Sequence, residues 1–188
     1  MTGVTRLERL ALLGESGRYW YVRAGEQIDA AATLLNVDPD TLADLLSIFS
    51  PRVSVLRSIR HTLHYIQTGK YRADVRRGIR AGIEHYNLTG EIRGPKTHPF
   101  ARALKGDPAA IVLDVWMGKA FGIDPLGWGK RDIRRIAKAR IRAVARRLGW
   151  KPAEAQAAIW AGTLMQAGRT VPALHLVDAT LWGITLRT

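Results

Sequence analysis

The chain has 188 residues, 47% of them hydrophobic and spread over its whole length, which is enough to bury one good core and excludes a disordered chain. Lys and Arg outnumber Asp and Glu by 29 to 16, a formal charge of +13 that suits a polyanionic partner, because neutralised phosphates release condensed counterions. There is no cysteine, which excludes disulfides, a thiolate nucleophile, an iron–sulfur cluster and any Cys-based zinc site.

The opening stretch MTGVTRLERLALLG is too short and too charged for a signal peptide, and no apolar run approaches the roughly 18 residues of a membrane span. A soluble, cytoplasmic protein is therefore expected, with no membrane partner. Apolar positions at helical spacing over residues 28–35 follow Gly25-Glu26 and predict a first helix. Asp38-Pro39 gives an N-cap followed by Pro at the first helical position, with Leu42, Leu45 and Leu46 on the apolar face. Ser50-Pro51 repeats that signal before Val55, Ile59, Leu63 and Ile66, and Gly69 ends the helix.

A helix is predicted over residues 71–86, with Arg72, Arg76, Arg77 and Arg80 opposite Val75, Ile79 and Ile83. The turn Leu88-Thr-Gly-Glu-Ile-Arg-Gly94 leads into a helix over residues 95–105. After the break at Gly106-Asp107-Pro108, Asp114 caps a helix ending near Gly122. A Gly- and Pro-containing loop over residues 123–129 precedes a long basic helix over residues 130–148. A helix from Pro152 and an apolar segment from about Pro172 follow. The period is helical throughout and strand signals are almost absent, so the expected class is all-α, a bundle of about 8–10 helices. It reads as one compact domain over residues 1–188 or as two interleaved lobes. The pair His61 and His64 lies at i, i+3 spacing, but no third ligand is evident, so neither a metal nor a cofactor is expected.

Residues 86–97 read as helix, Gly-bounded hairpin, helix. Gly90 and Gly94 let the backbone turn tightly, and the amides opening the second helix can point at a phosphate, with Arg93 and Lys96 beside them. An ordinary helical turn has the same composition.

Gly94-Pro95-Lys96-Thr97, followed by Ile111-Val112-Leu113-Asp114-Val115-Trp116, resembles the endonuclease III branch of the helix-hairpin-helix DNA glycosylases. In that family the hairpin ends in Gly-Arg-Lys-Thr-Ala, and an Asp in a Val-Asp-Thr-His motif caps the next helix. The separation of Lys96 and Asp114, 114 − 96 = 18, is similar to the family's. Leu46-Ser-Ile-Phe-Ser-Pro-Arg-Val-Ser-Val55 looks like the family's early helix entry, and Pro152-Ala-Glu154, Trp160 and Gly168-Arg169 are similar to its closing helix. The pieces span residues 40–169. The chain departs from the pattern in a hairpin two residues longer, a shortened middle lobe, the missing cluster cysteines and Trp116 after the Asp. It also resembles bacteriophage proteins, and the superfamily includes phage enzymes that rework hypermodified thymines.

The resemblance implies a glycosylase-like bundle that flips a base, modified or not, out of double-stranded DNA and cleaves its N-glycosidic bond or remodels it. By position Lys96 would be the nucleophile on C1′, Asp114 would stabilise charge on the sugar, and Phe49 would fill the gap left by the base. Arg52, Gly90, Arg93, Gly94, Thr97 and Trp116 would line the DNA. Three plainer readings stand beside these: Asp114 as a helix cap worth about 1 kcal/mol, Lys96 as a phosphate contact, and Phe49 as core. A binding module that keeps the hairpin but has lost the chemistry is the alternative function.

The basic helix is a separate signal. Residues 130–151 hold ten Lys or Arg against Asp132. Ile133, Ala137, Ile141, Val144 and Leu148 form one stripe, and Arg131, Arg135, Lys138, Arg142 and Arg146 a neighbouring one that would track a DNA backbone. Of the tryptophans Trp20, Trp116, Trp128, Trp150, Trp160 and Trp182, Trp116 and Trp128 are placed to stack on an extruded base if they are not core.

Overall fold

A computed structural model describes residues 4–124 and 128–181 of the chain. Among the described residues there are ten α-helices and no strand, so the all-α class holds. In chain order they are α1 (Arg6–Leu13), α2 (Trp20–Leu35), α3 (Pro39–Ile48), α4 (Val55–Thr68), α5 (Arg77–Thr89), α6 (Thr97–Leu104), α7 (Val115–Phe121), α8 (Arg131–Leu148), α9 (Pro152–Gln166) and α10 (Leu176–Leu181), with a 3₁₀ turn at Glu15–Gly17. The chain divides into two compact units, each drawn from two stretches: Met1–Val22 with Gly106–Val171, and Arg23–Lys105 with Pro172–Thr188. Trp182 and residues 125–127 of the loop before the basic helix lie outside the described residues.

The first unit is built around α9. Alanine supplies small side chains at Ala153, Ala155, Ala157, Ala158 and Ala161, all buried, so neighbours can approach the helix on several sides. α1, α7 and α8 pack against it. The approach of α1 is close because Gly14 and Gly162 carry no side chain. A Cβ on Gly162 would lie 2.0 Å from the Leu10 carbonyl oxygen, and one on Gly14 would lie 2.2 Å from that of Ala158. α1 begins with a capping box in which the Thr5 amide donates to Glu8 Oε2 at 2.6 Å and the Glu8 amide to Thr5 Oγ1 at 3.3 Å. Arg147 of α8 meets the other Glu8 oxygen at 2.5 Å.

The second unit is built around α3, whose residues from Leu42 to Ile48 are all buried. Asp38 caps it by accepting from the Thr41 amide at 2.8 Å, with Pro39 in its first turn. Phe49, Leu45, Val75, Ile79 and Ile83 share one apolar cluster beneath α5. Three polar bonds tie the α5–α6 pair to α3. Tyr86 donates to Asp44 Oδ2 at 3.1 Å, Lys105 meets Asp44 Oδ1 at 2.7 Å, and Ser47 donates to the Thr97 carbonyl at 2.5 Å.

Four expected boundaries move, each for a local reason. α2 begins at Trp20 and runs through Gly25, a glycine a helix interior tolerates at a cost of about 1 kcal/mol. α4 begins at Val55 rather than after Ser50, because Ser54 is the residue that caps Arg57, while Ser50 closes back on the Ser47 carbonyl at 2.8 Å. Residues 71–76 are not helical. Tyr71 stacks on Tyr65 at 5.5 Å, and the Arg80 guanidinium donates to the carbonyls of Val75 and Ala73 at 2.9 and 3.3 Å, holding the segment as a loop. α6 starts at Thr97, with Pro95 and Lys96 in the turn before it.

Candidate nucleic-acid interface

The expected helix, Gly-bounded turn, helix is present in α5, residues 90–96 and α6. Gly90 ends α5 in the left-handed region at φ 71°, a conformation that costs L side chains energy. Gly94 sits at φ 120°, and a Cβ there would lie 2.6 Å from Thr97 Oγ1. Thr97 Oγ1 in turn donates to the Arg93 carbonyl and its side chain is buried. Thr97 therefore shapes the turn from inside, while Gly90, Arg93 and Gly94 are exposed. No side-chain hydrogen bond caps α6, so its opening turn is presented without a competing side-chain acceptor.

Lys96 stands at the N-cap of α6, half-buried. Its Nζ donates to the Ser50 carbonyl at 3.0 Å and to Ser50 Oγ at 3.1 Å, and lies 5.6 Å from the centre of the Phe100 ring. These contacts fix the amine in position. Arg52 is exposed, in the left-handed region at φ 58°, in the loop that also carries Ser50. Phe49, expected as the wedge in DNA, is fully buried between His61 and Tyr65, with ring centres 5.9 and 5.8 Å away. That corrects the expectation: in this conformation Phe49 belongs to the core cluster, because its ring closes the space between α3, α4 and α5.

Asp114 belongs to the other unit. It caps α7, Oδ1 accepting from the amides of Trp116 at 3.0 Å and Met117 at 2.9 Å. Its carbonyl accepts from Trp128 Nε1 at 2.9 Å, and Trp128 is buried, so Trp128 is core rather than a stacking surface. Burial and then the Asp114 charge push the Tyr21 phenol well above its ordinary range, opposed by its 2.7 Å bond to Gln156. Trp116 is half-buried, with Lys119 Nζ 4.0 Å from its ring centre. The eighteen-residue spacing of Lys96 and Asp114 thus runs from one unit into the other.

α8 keeps its expected bounds, from a Lys130 N-cap to Gly149. Ala137, Ile141 and Val144 are buried, and Ile133 and Leu148 pack on the same core. Arg131, Arg135, Arg142 and Arg146 are exposed, and Lys138 is half-buried. Arg135 meets Asp132 at 3.5 Å, a solvent-screened pair. Arg134 donates to the carbonyls of Trp128 and Gly129, holding the start of the helix to the preceding loop.

Several residues that matter here carry no motif. Asp44 bonds both helices of the hairpin, and its only sequence signal is a carboxylate inside an otherwise apolar helix. Ser50 holds Lys96, and Gln156, buried in an alanine-rich helix, positions Tyr21. Among the described residues no cluster of three His, Asp or Glu could hold a metal, and no helix is long and apolar enough to cross a membrane.

The model of a family of unknown function, DUF7178, matches residues 13–166. No curated protein and no solved structure matches the chain.

Proposed function

We propose that this chain, which belongs to the family of unknown function DUF7178, binds double-stranded DNA by its phosphate backbone, using the α5–α6 turn and the outward face of α8 as two separate contacts. The observation that carries this reading is the exposed face of α8. Arg131, Arg135, Arg142 and Arg146 stand on it with Asp132 as the helix's one carboxylate. Such a face gives affinity and salt dependence without reading sequence. The turn adds the geometry of an anion cradle: two glycines with positive φ, exposed Arg93, and a helix start with no side-chain cap. Binding of a fluorescent duplex tests the reading. Replacing Arg131, Arg135 and Arg142 with Gln should weaken binding across unrelated sequences alike, and an unchanged affinity would remove α8 from the interface.

Chemistry on a base is the second reading, favoured by the Lys96 amine, which is half-buried and anchored by two hydrogen bonds as a positioned nucleophile needs to be. Lys96 would attack C1′ of the sugar, the C1′–base bond breaking with its electron pair as the base leaves and takes up a proton. The second amine proton then passes to the ring oxygen as the sugar ring opens, which gives a Schiff base. Borohydride should trap a covalent protein–DNA adduct that Lys96→Ala abolishes. Released base without an adduct would point to activated water instead, and neither product would leave the binding reading alone.

A further inference from the structure

A second basic site lies in the Arg23–Lys105 part of the chain, apart from the hairpin turn. A cleft of about 220 Å³ opens at the start of α4 and is lined by Arg57, Arg60, His61, Arg72 and Asp74, among others. Three guanidiniums against one carboxylate leave two positive charges, three minus one. Asp74 lies 3.8 Å from Arg57, beyond the roughly 2.7–3.2 Å of a made hydrogen bond. No ion pair of Arg60 is found among the described residues, and the residue is exposed. The helix itself is long enough, 14 residues, for its N-terminal end to favour an anion.

The independent sign of a ligand is His61. Its side chain is 1% exposed and lines the cleft. Nε2 lies 3.2 Å from Asp74 Oδ2 without a made hydrogen bond, and Nδ1 has no hydrogen-bond partner either. A buried polar atom left unmade is costly, so such atoms are as a rule met by protein, water or ligand. A neutral imidazole can accept from a P–OH at one ring nitrogen and donate to a phosphate oxygen from the other. The cleft is smaller than the roughly 300–1,000 Å³ of pockets that enclose drug-sized ligands, which favours a compact anion over a nucleobase.

We infer that this cleft binds a phosphate monoester in its dianionic form, the group carried by a phosphorylated strand end or by a free phosphorylated small molecule. Two net positive charges match that dianion, whereas an internal phosphodiester carries one negative charge. Guanidiniums suit it through their fork of donors.

Calorimetric titration of the full chain with inorganic phosphate at constant ionic strength tests the inference without any DNA, so its outcome is separate from the DNA reading. Saturable uptake of one phosphate per chain is expected, at least tenfold weaker in Arg60→Gln and unchanged in Arg140→Gln, a control on α8. Arg60 is exposed, so its replacement leaves the fold intact, which circular dichroism checks. On phosphate addition the ring ¹⁵N resonances of His61 should move. Competition then separates the sources: a 5′-phosphorylated oligonucleotide that displaces phosphate better than its unphosphorylated twin marks a strand end, and ribose 5-phosphate doing so marks a small molecule. No saturable uptake by the wild type, or equal affinity in Arg60→Gln, would overturn the inference.

Discussion

At Gly162 the backbones of α1 and α9 come so near that a methyl group would lie 2.0 Å from the Leu10 carbonyl oxygen. The obstacle is main chain, which cannot swing aside as a long side chain can. Gly162→Ala should therefore lower stability by about 1–3 kcal/mol, the usual cost of overpacking, seen as a lower urea midpoint; an unchanged midpoint would mean that the helices separate without cost. Asp114 poses a different question, because its cap alone explains why the residue is there. Asp114→Asn keeps a capping oxygen and Asp114→Ala removes it, so only the Ala variant should lose about 1 kcal/mol. Base release that falls in the Asn variant, with stability kept, would give the carboxylate a chemical role. Single residues were legible where their role is local. Asp38 and Asp114 announce caps, and Gly69 and Gly122 announce helix ends. Phe49 was not, since a phenylalanine in a short apolar run looks alike whether it faces solvent or closes the space between three helices.

At the scale of elements, one carboxylate ties both helices of the α5–α6 hairpin to α3, beside the bond from Ser47 to the Thr97 carbonyl. Asp44 receives Tyr86 on one oxygen and Lys105 on the other, each at the far end of a different helix. Removing it in Asp44→Ala leaves a phenol and an ammonium facing an emptied site. A loss of about 2 kcal/mol is expected, in the range of hydrogen bonds to charged groups, discounted because Lys105 is partly exposed. Thermal melts would read it, and a variant as stable as the wild type would show that packing alone seats the hairpin. The basic helix makes the complementary case. Its apolar stripe and its charges were legible together because both follow one period. Residues 71–76 were misread as helix for the opposite reason. Their arginine spacing fits a helix, yet the Arg80 side chain satisfies the loop's carbonyls instead, a long-side-chain bond no periodicity displays. Bonds between distant segments, such as Ser50 to Lys96 over 46 positions, are equally silent in sequence.

For the whole molecule, the excess of +13 makes electrostatics felt in stability as well as in binding. Acid sensitivity is expected at Glu8. The Thr5 amide and hydroxyl hold its carboxyl below the ordinary 4.5, burial opposes them, and the Arg147 charge adds to the lowering. A group whose folded value is depressed stabilises the fold above its unfolded value and loses that contribution as pH falls through the folded one. Glu8→Gln should thus be less stable than the wild type near neutrality, with the gap closing as pH drops below 4.5; a gap that persists in acid would assign the effect to shape rather than charge. The all-α class was legible at this scale from helical period and the lack of strand signals. The division into two units, each made of two stretches of chain, was open in the sequence, since no linker or composition shift marks a return of the chain to an earlier unit.

The most direct measurement is the affinity of the wild-type chain for a short DNA duplex as a function of salt. Each phosphate neutralised contributes a slope of about −0.9 to log Kobs against log salt. Arg131, Arg135, Arg142 and Arg146 on α8 and Arg93 at the hairpin lead to an expected slope steeper than about −3, falling by about 2.7 in absolute terms when Arg131, Arg135 and Arg142 become Gln. Binding that hardly changes with salt, or no binding at low salt, would contradict a grip on the DNA backbone.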